Sequence, residues 1–100
     1  MRLDVTPEAG QLVREQGGRL WVWAHRPRGC CSGTPAYMHA ATAAPPLISG
    51  FSPVDPVDAD GLEIWFRAPG GRLPDVLEIA LRGKRRPHVE AYWDGCAYVL

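Results

Sequence analysis

The sequence predicts an α+β domain, with one short N-terminal helix followed by five to six mostly antiparallel strands in a small twisted sheet or a sandwich. One early stretch carries helix start and stop signals around apolar residues at helical spacing. Several later stretches alternate apolar and polar residues, and glycine- or proline-rich breaks separate them. The length of 100 residues corresponds to a single domain, residues 1–100.

The predicted helix begins after Thr6, whose hydroxyl can accept a hydrogen bond from the first turn. Pro7 suits the first helical position, and Glu8 complements the positive end of the helix dipole. Gly17 and Gly18 end the helix after about ten residues, so it needs packing against the rest of the domain to persist.

Four stretches are predicted to form the main strands: residues 19–25, 34–42, 62–66 and 88–93. The first has two apolar faces, which indicates a central strand covered on both sides, and the second is expected to pair with it antiparallel. Residues 77–82 favour a further strand, although a helix beginning at Asp75 would also fit their apolar pattern. The four tryptophans lie on these strands and are expected to be core residues.

Residues 43–60 contain four prolines and are predicted to be mostly loop, because proline cannot donate a hydrogen bond to a strand ladder. A connection of this length is uncommon inside a small domain unless it has a function. The acidic cluster near its end does not fit a calcium-binding loop, whose first and last positions would be Pro56 and Arg67.

The composition excludes several classes of partner. Eleven basic and eleven acidic residues give a formal charge of zero, so no overall basic field attracts nucleic acid or an anionic membrane. No apolar stretch approaches the roughly 18 residues that indicate a membrane span, and the N-terminus lacks the apolar region of a signal peptide. Three cysteines, an odd number, suit free thiols in a reducing compartment, so we expect a cytoplasmic protein.

The main chemical feature is the stretch Gly29-Cys30-Cys31-Ser32-Gly33. Glycine allows turn conformations that residues with a Cβ avoid, and such a turn can point neighbouring thiols the same way. It also exposes backbone N–H groups that can stabilise a thiolate or a bound sulfide. The alternative is that both cysteines are small, buried apolar residues.

A structural disulfide between Cys30 and Cys31 is not expected. Adjacent Cα atoms lie about 3.8 Å apart, whereas disulfides usually need roughly 4.4–6.8 Å. A bridge between them would be strained and easily reduced, which suits a redox switch better than a structural link.

The third cysteine, Cys96, follows Asp94 and Gly95 near the end of the chain. Three thiolates leave one position open in a tetrahedral zinc or iron–sulfur site, so a fourth donor is needed. The candidates are Asp94, His39, His88 and a thiol from a second subunit. Asp94 could equally be an ordinary Asp-Gly turn residue.

The order of these features resembles the HesB-like family, the A-type iron–sulfur carriers. That family has a short Thr-capped helix, a strand, a Gly-Cys-Ser-Gly turn and a Cys-Gly-Cys turn near the C-terminus. Here Cys31-Ser32-Gly33 followed by Tyr37 is similar to the first turn, and Asp94-Gly95-Cys96 is similar to the second. The resemblance implies a HesB-like fold, an iron or iron–sulfur cofactor bound through Cys31 and Cys96, iron–sulfur assembly partners, and a homodimer or tetramer.

Two positions differ from the pattern of that family. Cys30 stands where the family usually has glycine, and Asp94 stands where it has its first terminal cysteine. A hard oxygen ligand such as Asp94 would hold an iron–sulfur cluster more weakly than a thiolate. The Cys30-Cys31 pair is similar to a branch of small HesB-like proteins marked by a Cys-Cys pair, some of which carry selenocysteine there. That similarity implies that a redox-active thiol matters as much as metal ligation.

Three functions follow from these patterns. The first is a non-catalytic carrier that binds iron or an iron–sulfur cluster through Cys31 and Cys96, with help from Cys30 or Asp94. The second is a thiol redox protein that uses Cys30 and Cys31, with Cys96 resolving the intermediate and a redox protein as its partner. The third is a binding protein whose thiols are inert.

Overall fold

A β-strand, a helix and then seven further strands follow one another along the chain, which gives the α+β class that the sequence predicts. The computed structural model describes residues 2–25, 36–46, 48–54, 61–68 and 71–99. The elements in these ranges are β1 (Arg2–Val5), α1 (Pro7–Glu15), β2 (Arg19–His25), β3 (Ala36–Ala41), β4 (Ser52–Pro53), β5 (Glu63–Arg67), β6 (Val76–Arg82), β7 (His88–Trp93) and β8 (Tyr98–Val99).

The strands form two sheets. One sheet has three strands in the order β1-β6-β7, and the other has five in the order β4-β5-β2-β3-β8. Most neighbouring pairs are antiparallel, as predicted, but β1 runs parallel to β6 and β2 runs parallel to β5. There are more strands than the predicted five to six because β1, β4 and β8 are too short to show a full alternating pattern.

The helix α1 begins and ends where the sequence signals indicate. The Thr6 hydroxyl accepts a hydrogen bond from the Ala9 N–H at 3.3 Å. At the other end the Gly18 N–H donates to the Val13 carbonyl oxygen at 2.8 Å. The buried face of α1, formed by Ala9, Gly10 and Val13, packs near β2, β6 and β7.

The strand β2 is central, between β5 and β3, but only one of its faces is fully covered. Leu20 and Val22 are completely buried on the inner face, in the same core cluster as Leu77 of the three-stranded sheet. Trp21 and Trp23 on the outer face are only half-buried, so the expectation of two covered faces is wrong for this side. The reason is that the other sheet and the helix both pack against the inner face.

The strand β3 pairs antiparallel with β2, as predicted, with Trp23 opposite His39 and His25 opposite Tyr37. Residues 26–35 between the two strands contain Cys30 and Cys31 and lie outside the described residues. The position of the two cysteines at the tip of this hairpin therefore stays a prediction.

The stretch that could have been helix or strand is a strand. β6 pairs antiparallel with β7 from Leu77 to Arg82, and its other edge pairs with β1. Leu77 and Ile79 alternate onto the inner face and are completely buried. Gly83, with a φ of 92°, follows β6 and starts the turn into β7.

The loop between β3 and β5 contains one short strand in its described part. β4 pairs with the edge of β5, where a proline costs no ladder hydrogen bond if its N faces away from the partner. Val54, just after β4, is buried in the core. Residue 47 and residues 55–60 of this loop lie outside the described residues.

The hydrophobic core lies between the two sheets and the helix. Its largest fully buried side chains are Leu20, Leu62, Leu77, Ile79, Val13 and Val22. Of the four tryptophans, Trp93 alone belongs to the buried core. The expectation of four core tryptophans is therefore wrong for Trp21, Trp23 and Trp65, which share the outer face of the five-stranded sheet.

Within the described ranges no helix has the length and apolar character needed to cross a bilayer.

Candidate functional site

Cys96 lies at the end of the hairpin turn that follows β7, and it is exposed. The Trp93 N–H donates to the Cys96 carbonyl oxygen at 2.7 Å, and the Cys96 N–H donates to the Trp93 carbonyl oxygen at 2.9 Å. Asp94 and Gly95 form the two-residue loop, with φ values of 48° and 85°. Positive φ at both loop positions is typical of a type I′ turn, for which Asp-Gly is a preferred sequence. The hairpin therefore holds the exposed Cys96 thiol next to a defined turn.

Asp94 connects this turn to the beginning of β6. Its N–H donates to the Val76 carbonyl oxygen at 3.0 Å, and its Oδ1 accepts a hydrogen bond from the Val76 N–H at 2.8 Å. Asp94 therefore has the turn role that was one of its two predicted roles. Its Oδ2 makes no hydrogen bond among the described residues and is the freer of the two oxygens for a ligand role.

The strand β8 brings the turn of Cys96 to the edge of β3. Tyr98 lies opposite Tyr37 and Val99 lies opposite Ala36 in an antiparallel pair. The Met38 N–H donates to the Ala97 carbonyl oxygen at 2.9 Å, which continues the same register. Ala36 is the first residue of β3, so β8 ends beside the point where the segment with Cys30 and Cys31 joins the sheet.

His39 is a candidate ligand on the outer face of β3. Its ring stacks on Trp23, with ring centroids 5.6 Å apart, and meets the ring of His25 edge-on at 5.9 Å. Partial burial lowers the pKa of His39 below its ordinary value of 6.5, and the neighbouring His25 lowers it further. The neutral imidazole, which is the form that binds metals, is therefore favoured at neutral pH.

His88, another predicted donor, has both ring nitrogens engaged. Nδ1 lies 3.0 Å from the Arg86 carbonyl oxygen, and Nε2 lies 3.0 Å from Oε1 of Glu90. The Tyr92 hydroxyl donates to Oε2 of Glu90 at 2.8 Å, which extends the chain of contacts along the exposed face of β7. A metal could bind His88 only by displacing one of these partners.

The described ranges, which leave out Cys30 and Cys31, contain no group of three or more His, Cys, Asp or Glu side chains placed to hold a metal ion. Cys96 and Asp94 therefore do not make a metal site by themselves. A metal on Cys96 would need ligands from residues 26–35 or from a second copy of the chain. The predicted participation of Cys30 and Cys31 falls outside the described residues and stays a prediction.

The sequence interpretation missed an aromatic surface. On the outer face of the five-stranded sheet Trp23 contacts Phe51 edge-on, with ring centroids 6.1 Å apart. The guanidinium of Arg67 lies 4.8 Å from the centre of the Phe51 ring. Trp21 and Trp65 lie opposite each other on the same face. The pattern of β2 could not reveal this surface, because its two apolar faces look alike until the position of the second sheet is known.

Comparison with known proteins identifies no relative. No protein-family model, no curated protein and no solved structure matches the chain. The resemblance to the A-type carriers therefore rests on the short cysteine motifs and the order of elements alone.

Proposed function

We propose that this protein is a non-catalytic carrier that binds iron, or an iron–sulfur cluster, through Cys31 and Cys96, with Cys30 or Asp94 as a further ligand. The structural observation that carries the proposal is the antiparallel pairing of β8 with β3. We place the carrier in the cytoplasm, where thiols stay reduced and can ligate a metal. Iron–sulfur assembly proteins are its proposed partners.

The pairing of β8 with β3 supports the proposal because it limits the distance between the two cysteine segments. Cys96 precedes Val99 by three residues, and Val99 lies opposite Ala36; three residues extend at most about 10 Å. Cys31 precedes Ala36 by five residues, which can span up to roughly 17 Å. The chain is therefore long enough for the Cys31 sulfur to reach Cys96 by running back along the edge of the sheet.

The ligand geometry sets a strict condition on that approach. Thiolate–metal bonds of about 2.3 Å in a tetrahedral site require sulfur atoms within roughly 4 Å of each other. The exposure of Cys96 is favourable, since a thiol on an open hairpin is accessible to a second segment. The proposed site therefore requires the Cys31 and Cys96 sulfur atoms to lie within that distance of each other.

His39 is the strongest described candidate for the fourth ligand. Met38, the residue before His39, donates a backbone hydrogen bond to Ala97, the residue after Cys96. The favoured neutral state of His39 leaves a ring nitrogen able to bind a metal. Asp94 is the weaker candidate, because its Oδ1 accepts the hydrogen bond of Val76 and a carboxylate is a harder ligand than thiolate.

Anaerobic reconstitution with ferrous iron and sulfide tests the proposal. We expect the purified full chain to retain iron after desalting and to show visible charge-transfer absorption. Cys31→Ser and Cys96→Ser should each lose most of the bound iron, because serine is a poor ligand for these metals. Ser32→Ala is the matched control, since it changes a neighbour of Cys31 without removing a thiol, and it should bind iron like the wild type.

Two results would refute the carrier function. One is a colourless protein that retains no iron. The other is unchanged iron binding in Cys96→Ser. A partial loss in His39→Gln or in Asp94→Asn would show which of them supplies the fourth ligand.

The exposed Cys96 also favours a second function, thiol redox chemistry with the Cys30-Cys31 pair. This function requires a thiol that ionises well below the free value of about 8.5 in the metal-free protein. Thiol reactivity measured against pH decides it, and three thiols that all ionise near the free value would rule it out.

A further inference from the structure

A cavity of about 510 Å³ opens on the outer face of the five-stranded sheet. Two indoles, a phenyl ring and an aliphatic side chain form most of its wall, with an ion pair at the rim: Trp21, Trp65, Phe51, Ile48, Arg19 and Glu63. The volume lies in the range of small-molecule sites, which are usually apolar and aromatic with a few convergent polar groups.

The parallel register of β2 and β5 builds this wall. It sets Trp21 opposite Trp65 and, two residues earlier on the same face, Arg19 opposite Glu63. The loop before β4 supplies Ile48 and Phe51, and Ile48 is 62% exposed. Three aromatic side chains and one flexible apolar side chain thus line the cavity.

The polar groups around the cavity are mostly donors. The Arg19 Nε lies 3.0 Å from Oε2 of Glu63 in an ion pair, and the two terminal nitrogens of Arg19 have no partner among the described residues. The indole N–H groups of Trp21 and Trp65 also have no acceptor within the described part of the chain. The main acceptor at the rim is Glu63, and its charge is already balanced by Arg19.

We infer that this cavity binds a small planar aromatic carboxylate. The ring of such a ligand packs against the indoles and Phe51, where aromatic pairs prefer offset or edge-on contact. Its carboxylate accepts paired hydrogen bonds from the terminal nitrogens of Arg19, the geometry that makes Arg–carboxylate pairs strong. None of the residues that line this cavity is a proposed metal ligand, so the inference does not rest on the proposed carrier function.

Calorimetric titration of the full chain with three naphthalene probes tests this inference. The probes share one ring system and differ in charge: 2-naphthoate, 2-naphthol and 2-naphthylmethylammonium. We expect 2-naphthoate to bind most tightly and the ammonium compound to bind most weakly. A preference for the ammonium compound, or no binding of 2-naphthoate below about 1 mM, would overturn the inference.

Variants separate the contributions of the ring and the charge. Trp65→Leu should weaken 2-naphthoate binding about tenfold or more through lost ring contact. Arg19→Gln should weaken it by roughly 10- to 100-fold, the value of hydrogen bonds to a charged group, while leaving 2-naphthol nearly unchanged. Tyr37→Leu is the matched control, because Tyr37 is an exposed ring on the same sheet face but does not line this cavity.

Glu63→Gln tests the position of the ligand carboxylate without changing a tryptophan. Removing this carboxylate frees Arg19 and removes repulsion of the ligand, so 2-naphthoate should bind several-fold more tightly. Equal or weaker binding in Glu63→Gln, with circular dichroism like that of the wild type, would contradict the assigned position of the carboxylate.

Discussion

At the scale of single residues, Asp94 is held by both its backbone and its side chain. Its φ of 48° lies in the left-handed region, which costs most residues about 1–2 kcal/mol and which aspartate tolerates comparatively well. Its Oδ1 also satisfies the Val76 N–H at the start of β6. The structural demands of this position therefore explain an aspartate even without a metal, and any ligand role is additional.

Two substitutions of Asp94 test how much its backbone conformation and its hydrogen bond to Val76 contribute to stability. Asp94→Ala should lower the free energy of unfolding by on the order of 2 kcal/mol, from the lost hydrogen bond and the strained φ together. Asp94→Asn should cost less than about 0.5 kcal/mol, because asparagine keeps the side-chain acceptor and also tolerates this conformation. Urea denaturation of both variants measures the difference, and an alanine variant as stable as the wild type would contradict the assigned role.

The turn at Asp94 could be predicted from the sequence, but the strand that the Asp94 side chain contacts could not. Asp-Gly before a cysteine predicts a tight turn because both loop positions need positive φ. The partner of the Asp94 side chain is Val76, 18 residues earlier, and no local pattern identifies it. The sequence alone is therefore consistent with Asp94 as a turn residue or as a ligand, whereas its contact with β6 depends on the pairing of whole strands.

The pair His88 and Glu90 gives stability a defined pH dependence. Hydrogen bonding to the Arg86 carbonyl, and then to Glu90, raises the pKa of His88 above 6.5. Hydrogen bonds from His88, and then from Tyr92, lower the pKa of Glu90 below 4.5. The contribution of His88 to the free energy of unfolding is fully present below pH 6.5 and is lost as the pH rises through the folded-state pKa of His88. The Glu90 contribution is complete above pH 4.5 and is lost as pH falls through its folded-state pKa.

We therefore expect His88→Gln to reduce the free energy of unfolding most between pH 4.5 and 6.5, with a smaller difference on either side. The effect should be small, because both side chains are largely exposed and water screens the pair. Urea denaturation across this pH range measures it. A difference between variant and wild type that grows above pH 6.5 would have the wrong sign.

At the scale of secondary-structure elements, β2 has two apolar faces with different surroundings. Leu20 and Val22 are completely buried between the sheets, whereas Trp23 lies half-buried on the outer face against His39 and Phe51. The period of two in the sequence shows which residues share a face. It does not show which face meets the second sheet, so the burial of the tryptophans was predicted wrongly.

Substitutions on the two faces should have different costs. Leu20→Ala should lower the free energy of unfolding by about 2–5 kcal/mol, because it leaves a cavity in the core. Trp23→Leu should cost about 1 kcal/mol, mainly the lost contacts between aromatic rings. Both values come from urea denaturation. Equal costs would indicate that the outer face of β2 is covered as fully as the inner face.

The elements that the sequence predicted are those with long local patterns, α1, β2, β3, β5, β6 and β7. The missed strands β1, β4 and β8 have four, two and two residues. The pairing partners of β1 and β8, which are β6 and β3, are remote in the sequence. The parallel pairing of β2 with β5 was missed for the same reason. Such strands gain their stability from long-range contacts that no short window contains.

At the scale of the whole molecule, the pairing of β8 with β3 places the C-terminal turn beside the strand that follows the Cys30-Cys31 segment in the sequence. Without this pairing, nothing in the order of elements would relate Cys96 to the other two thiols. With it, the lengths of chain between the cysteines and the paired residues are short enough for a common site. The carrier function depends on that meeting of the two segments.

Disulfide trapping in the metal-free chain tests most directly whether Cys96 lies next to Cys30 and Cys31. A disulfide forms only where Cα atoms lie within roughly 4.4–6.8 Å, so mild oxidation at low protein concentration should join Cys96 to Cys30 or Cys31 within one chain. Peptide mapping by mass spectrometry identifies the pair, and prior loading with ferrous iron should suppress it. If Cys96 instead stays reduced, or forms disulfides only between chains, the two segments do not meet and the proposed site does not exist.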